Sequence, residues 1–180
     1  MSGNINDDEM GVLQALLDDP TRSLRDLAKA LNSYRQKIWR TKSKMEKEKV
    51  IWGYSAIIDE SRLGHVLYVM LMKMRPMDQD LAQIIIKRVL KQGKTQRDVR
   101  LENILYVNGE YDWMVMFSAQ DHMTARRYYD SIRIEYDRYL LEKPSIIDVN
   151  FCLVRGGKAN PDMQRLYEFI PRISDTGNAR

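Results

Sequence analysis

One cysteine and two histidines in 180 residues remove several classes of chemistry at once. With Cys152 alone, no disulfide can close within the chain, which points to a reducing compartment. Cys152 lies in the apolar run IIDVNFCLV and reads as a small buried hydrophobe on a strand. His65 and His122 carry no metal-ligand spacing, and neither a glycine-rich phosphate loop nor a nucleophile motif is present, so no metal or cofactor is expected. The opening MSGNINDDEM has neither the basic start nor the apolar core of a signal peptide. No apolar run approaches the roughly 20 residues of a membrane span, so no membrane partner is expected. There is no internal repeat and no low-complexity block. The chain reads as cytoplasmic.

What is present is a 44% hydrophobic chain with a net charge of only +4. The charge is concentrated. Residues 33–49, SYRQKIWRTKSKMEKEK, hold seven basic and two acidic side chains, a local +5 that exceeds the whole chain's excess. A basic segment on an otherwise near-neutral protein is the footprint of a nucleic-acid or anionic-surface binder.

Helical spacing places two helices ahead of that excess and a third within it. Residues 7–18 carry Met10, Leu13, Leu16 and Leu17 at helical intervals, with Asp7, Asp8 and Glu9 in the first turn, where they suit the helix dipole. SLRDLAKAL opens on Ser23 and Asp26 as a capping box and presents Leu24, Leu27, Ala28 and Leu31 on one face. Asn32 suits the left-handed conformation that closes a helix, and Ser33 can cap the next. At 100° per residue, Tyr34, Ile38, Thr41 and Met45 form the inward stripe of the third helix. Lys37, Arg40, Lys44 and Lys47 form a basic row about 110° away, and Arg35, Lys42 and Lys49 lie on the other flank. Gln36, Trp39 and Ser43 point outward between them. A solvated helix interleaves Lys with Glu, whereas here the first acid is Glu46. The pattern fits a helix in a DNA major groove. In that reading Arg35, Gln36, Arg40 and Ser43 face base edges, Lys37, Lys42, Lys44, Lys47 and Lys49 hold phosphates, and Ser33 completes the DNA-binding set at the start of the helix. Five neutralised phosphates give a slope of log K against log salt near −4.5. Trp39 either meets thymine methyls or sugars, or packs on a neighbouring segment; packing is the reading taken. Val50, Ile51, Trp52, Tyr54 and Ile57 then suit an extended wing.

The rest of the chain alternates in the order β-α-β-β-α-β. Strands are expected over 65–75, VRLENILYV, EYDWMVMFS and SIIDVNFCLV, and helices over 78–92 and from Asp121 to Leu141. Asn108-Gly109 between two apolar runs signals a tight hairpin. Two helices cover one face of such a sheet, yet the strands are apolar on both. An identical sheet from a second chain is the expected cover, making a homodimer, with partial cover by the tail as the alternative.

The chain resembles the leucine-responsive regulatory protein/AsnC (Lrp/AsnC) family of transcriptional regulators. The resemblance rests on SLRDLAKAL with its long following helix, on MEKEKVIWGYSAIID leading to LG, and on VNGEYDWMVM. It implies an α+β fold: a winged helix-turn-helix domain over 5–57, a linker over 58–64, and a ferredoxin-like βαββαβ (RAM/AsnC-type) domain over 65–155. From its own residues, RGGKANPDM and SDTGNAR around the short helical stretch MQRLYEFI, the segment 156–180 reads as a mobile tail. The resemblance further implies double-stranded DNA as partner, and homodimers that build tetramers or octamers around a small effector such as an amino acid. The family's hairpin carries a glycine and an aspartate at the effector cleft, which here are Gly109 and Asp112, with Tyr111 between. The hairpin turn alone also accounts for Gly109. Two other functions are open to this architecture. Related two-module proteins are tetrapyrrole decarboxylases, but these need His and Arg clustered around a large pocket. RNA recognition on the sheet would need a G-F-G-F-V type strand, which is absent.

Overall fold

A computed structural model describes residues 5–92 and 98–171. The chain forms two compact units. One is built on the residues up to Ile57 and takes in Gly156–Lys158; the other spans Ile58–Arg155 and the described residues from Ala159 onward.

The first unit holds α1 (Asp7–Asp18), α2 (Leu24–Ala30) and α3 (Arg35–Lys47). Asn6 caps α1: its side chain accepts the Glu9 N–H at 2.9 Å, while the Glu9 carboxylate accepts the Asn6 N–H at 3.0 Å. The buried face of α1 is Glu9, Val12, Ala15 and Leu16; of the expected stripe Leu16 is buried and Leu13 packs against the core, whereas Met10 and Leu17 are exposed. The helix carries two overlapping apolar stripes, and the one that also contains Glu9 turns inward.

α2 follows expectation. Ser23 accepts the Asp26 N–H, Leu27 and Ala28 are buried, and Leu24 and Leu31 pack at the edge of the same core. Asn32 takes the left-handed conformation, with φ 46°. Ser33 does not cap α3. Its N–H instead closes α2 on the Ala28 carbonyl at 2.8 Å, and Tyr34 stands at the N-cap without a side-chain bond. Because Tyr34 is extended, it falls out of helical register and is exposed, leaving Ile38 and Met45 as the fully buried anchors of α3.

Lys49 then adopts φ 59°, and the Val50 N–H returns to the Met45 carbonyl at 2.9 Å. The expected wing strand does not form. Residues 50–57 run without regular structure, and Trp52 is 94% exposed. A strand needs a partner for its backbone groups, and among the described residues none pairs with this segment.

The second unit contains β1 (Val66–Met72), α4 (Gln79–Gln92), β2 (Val99–Tyr106), β3 (Trp113–Ala119), α5 (His122–Tyr136) and β4 (Ser145–Asp148). The sheet order is β2-β3-β1-β4, antiparallel throughout, so the β-α-β-β-α-β order is observed. Tyr68, Met70 and Met72 of β1 and Trp113, Val115 and Phe117 of β3 share one core with Ala125, Tyr128, Tyr129, Ile132 and Tyr136 of α5. The Tyr129 hydroxyl donates to the Pro144 carbonyl at 2.9 Å.

Asn108-Gly109 does not make a two-residue turn. β2 and β3 are joined by residues 107–112, and Gly109 lies outside the left-handed region that such a turn requires. The loop is closed by Asp112. Its N–H donates to the Met72 carbonyl at 3.0 Å, its carbonyl accepts the Val107 N–H at 2.8 Å, and its carboxylate accepts the Met74 N–H at 2.7 Å.

The stretch 58–64 carries a 3-10 turn, Glu60–Leu63, capped by Asp59. Glu60 is buried and accepts from Arg100, at 2.9 Å, and from Arg155. β2 bulges between Leu101 and Asn103, and Glu102 pairs with both arginines. Arg100, Ser118 and Leu67 share one row across β2, β3 and β1. Leu67 and Ser118 are buried there, while Val69, Leu71, Met114 and Met116 are half-buried and Leu105 and Ile147 are exposed. The second sheet face is thus closed at one end and open along the rest.

The last strand stops at Asp148, before Cys152, which is half-exposed rather than buried, its sulfur 3.5 Å from the Val154 carbonyl. Residues 156–171, read as a mobile tail around the helical stretch MQRLYEFI, are structured, and that stretch is helical. β5 (Val154–Arg155) and β6 (Lys158–Ala159) meet through Gly156 and Gly157, both at positive φ, and a 3-10 helix spans Met163–Phe169. Ion pairs Arg62–Asp162 and Arg165–Asp59 join that helical segment to the turn at Glu60–Leu63. SDTGNAR, residues 174–180, lies outside the described residues. Among the described residues no helix is long and apolar enough to cross a membrane.

Leu27 is buried where α2 and α3 meet. Leu27→Ala is expected to destabilise the first unit by about 2–5 kcal/mol, read as a shifted denaturant midpoint. An unchanged midpoint would contradict the packing described.

Candidate nucleic-acid interface

The seven cations of residues 33–49 do not all face solvent. On the edge of α3 toward α1, Lys37 binds Asp8 at 2.6 Å and Lys44 binds Glu9 at 2.6 Å. Asp8 and Glu9, read from sequence through the helix dipole alone, also act as a clamp on α3. The seven-residue spacing of Lys37 and Lys44, two turns of one face, opposite an acidic first turn, is the signal that could have revealed it. The bond from Lys44, followed by that of the Asn6 N–H, lowers the pKa of Glu9. The same pairing raises Lys44, and the bond to Asp8 raises Lys37.

Lys42 also has internal contacts. Its ammonium is 3.7 Å from Glu46 and 4.8 Å from the centroid of the Tyr54 ring. Partial burial, then the hydrogen bond to Glu46, pushes the Tyr54 hydroxyl up to about 12.

The outer edge differs. Arg35, Gln36, Arg40, Lys47 and Lys49 are exposed, and among the described residues none of their side chains has a hydrogen bond or ion pair. Ser43 is half-buried on the same outer face, and Ser33 is half-buried in the turn before α3. Trp39 does not pack inward; it is 54% exposed and lies outside the core. With Leu24, Arg35 and Gln36 it lines an open recess of about 310 Å³. Leu24, read from sequence only as a core residue, is the member that sequence reasoning missed.

The structure thus brings Arg35, Gln36, Arg40 and Lys47 onto one free surface and withdraws Lys37 and Lys44 from it. A row of guanidinium, amide and ammonium donors beside an indole can take phosphate oxygens and base edges.

Gly109, Tyr111 and Asp112 share the loop between β2 and β3, in the second unit. Gly109 is exposed, and a Cβ there would meet nothing within 4 Å. Tyr111 and Asp112 are half-buried, and the Asp112 carboxylate is engaged by the Met74 N–H. His65 precedes β1, and His122 Nδ1 lies 2.9 Å from the Tyr68 hydroxyl.

No family model matches the sequence, and no curated protein matches it. Solved structures do. The leucine response regulatory protein LrpA of Mycobacterium tuberculosis aligns with a TM-score of 0.67 at 16% identity, over 87% of this chain and 99% of that one. An AsnC family transcriptional regulator from Agrobacterium tumefaciens aligns at 0.64 and 16% identity, over 87% and 97%. A transcriptional regulator of Neisseria meningitidis, solved as an L-Met complex, aligns at 0.63 and 10%, over 84% and 94%. At these identities the likeness is one of fold, and it is with the family that the sequence resembles.

The clamp has a pH signature. A carboxylate whose folded pKa lies below its free value of 4.5 stabilises the fold above that pH. The contribution fades as pH falls through the lower, folded value. Glu9→Gln should therefore be less stable than the parent near neutral pH, with the gap closing as pH drops below about 4.5. Thermal melts from pH 7 to pH 3 check this, and a gap that stays constant would rule the clamp out.

Proposed function

We propose that the chain is a sequence-specific, double-stranded DNA-binding transcriptional regulator of the Lrp/AsnC family. In this reading α2 and α3 form the helix-turn-helix, and α3 lies in the major groove. The observation that carries it is the sorting of charge on α3: an inner edge neutralised by α1 and an outer edge left bare. Arg35, Gln36 and Arg40 read base edges, with Ser43 beside them. Lys47 and Lys49 take phosphates, and Lys42 can swing from Tyr54 to a third. The ferredoxin-like unit pairs with a second copy along its open apolar strip, giving a homodimer whose half-sites lie a helical turn or a multiple apart. Higher assembly into tetramers or octamers follows the family pattern.

Salt dependence tests the charge assignment. Three phosphate contacts per protomer give a slope of log K against log salt near −2.7, against about −4.5 if the clamp opened and all five lysines engaged. Lys47→Ala should make the slope shallower by about 0.9 per protomer, and Lys37→Ala should leave it nearly unchanged. Titration of labelled duplex across potassium chloride concentrations measures both. A flat salt response would sink DNA binding as the function.

The 107–112 loop is the proposed effector site, and an amino acid is the proposed effector class. The support is the L-Met complex of one structural neighbour together with the exposed Gly109. Since Gly109 has an ordinary φ and open space around it, Gly109→Leu should fold normally. It should abolish the change in DNA affinity produced by an effective amino acid. A variant that folds and responds like the parent would remove this loop from the effector site.

A further inference from the structure

We propose that Trp39 is a specificity-determining residue, reading the 5-methyl groups of pyrimidines in the major groove through the recess it forms with Leu24. The inference rests on the DNA-binding reading above and names what that reading leaves open: the apolar part of the recognition surface. Gln36 and Ser43, together with Arg35 and Arg40, supply hydrogen bonds, but none of them distinguishes a methylated pyrimidine from its bare counterpart.

Trp39 fits that role on four observations. It is the large apolar side chain on the outer half of α3, 54% exposed and outside the core cluster. It sits within one turn of Arg35, Gln36 and Arg40, so it enters the groove wherever they do. The recess it lines has one further apolar wall, Leu24 from the first turn of α2, and its other walls are the Arg35 and Gln36 side chains. The flanking cations Arg35, Arg40 and Lys47 make the surface complementary to a polyanion rather than to an apolar protein face. The thymine methyl is the apolar feature that the major groove exposes. Indole and leucine facing it would exclude water from both surfaces.

The test begins with selection of binding sites from a random duplex pool by the full-length protein. In the best site each thymidine is replaced singly by deoxyuridine, which keeps every hydrogen-bonding edge and deletes only the methyl. In parallel, each cytidine is replaced by 5-methyldeoxycytidine. Affinities are measured for the parent, Trp39→Ala and Trp39→Phe. One buried methyl is worth a factor of about three to five. The expected result is a loss of that size for the parent at one or two thymidine positions, no such loss for Trp39→Ala, and an intermediate loss for Trp39→Phe. The salt slope should be the same in all three proteins. A gain at a cytidine on adding the methyl, again absent in Trp39→Ala, would assign the same pocket to methylated cytosine. If the deoxyuridine penalty is equal in parent and Trp39→Ala, or absent at every position of a specifically bound site, the proposal is overturned while DNA binding stands. If no site can be selected, the DNA-binding reading falls and this inference with it. Weakened self-association in Trp39→Ala with unchanged DNA affinity would also overturn it and give the recess to a protein partner. Because Trp39 lies outside the core, Trp39→Ala is expected to fold, and its melting curve serves as the control.

Discussion

The pairing of Lys37 with Asp8 and of Lys44 with Glu9 is the constraint on which the first unit turns. A helix with seven cations in and around thirteen residues repels itself where these fall three or four apart, as at Lys37–Arg40, Arg40–Lys44 and Lys44–Lys47. It needs either counter-charges or an external polyanion. The first turn of α1 supplies two counter-charges on one edge only. Glu9 is also the N3 residue of the capping box that closes the start of α1, so one short acidic run serves the helix dipole, the cap and the clamp together. The clamp also decides which apolar stripe α1 buries, since turning Glu9 inward brings Val12 and Leu16 with it. The burial of Ile38 and Met45 fixes the rotation of α3, and the clamp fixes which of its charges remain free.

The second unit resolves a different excess. Its strands are apolar on both faces, and only one face receives helices. At one end the other face is closed by charge rather than by oil: Glu60 and Glu102 against Arg100 and Arg155. Buried ions of this kind are tolerable only when each has its partner. The bulge in β2 supplies one of those partners, because the extra residue is Glu102. Each glutamate meets both arginines, so the cluster ties the 3-10 turn before β1 and the chain after β4 to the same end of the sheet. Elsewhere the strip through Leu71, Leu105, Met114, Met116 and Ile147 stays uncovered by this chain.

Much of this was legible in the sequence wherever periodicity and chemistry agreed. The α2 face of Leu24, Leu27, Ala28 and Leu31, the Ser23 cap, the left-handed Asn32 and the strand order all follow from spacing and capping. Three kinds of feature were not legible. Side chains that meet across elements, such as Asp8 with Lys37, have no local signature. Choices between overlapping patterns, as in α1, are decided by a distant partner. Local signals can also be overruled: Asn108-Gly109 would make a tight hairpin in isolation, but the three bonds made by Asp112 hold a longer loop. The same limits apply to the candidate site. The outer row of α3, Trp39 included, could be drawn from a helical wheel, whereas the pairing of its inner row with α1 lay in the charge spacing of two separate helices. In the tail the helical stretch MQRLYEFI was legible, but Gly156 and Gly157 suggested mobility where they form the turn of a hairpin next to the anchored Arg155.

The clamp and the open apolar strip are linked through affinity. On the proposed DNA-binding reading, pairing two lysines with α1 reduces the salt-sensitive, sequence-independent part of binding, while the arginines, glutamine and tryptophan proposed to discriminate between sites are left in place. The ratio of specific to non-specific binding therefore rises, at the expense of what one protomer can achieve alone. A single unit with three phosphate contacts would hold DNA weakly. Pairing two copies makes the second contact intramolecular, and the effective concentration so gained restores affinity without restoring indiscriminate charge. A surface that sheds cations in one unit and a sheet left open in the other are, on this argument, two halves of one solution: discrimination is built into the helix, and strength comes from association.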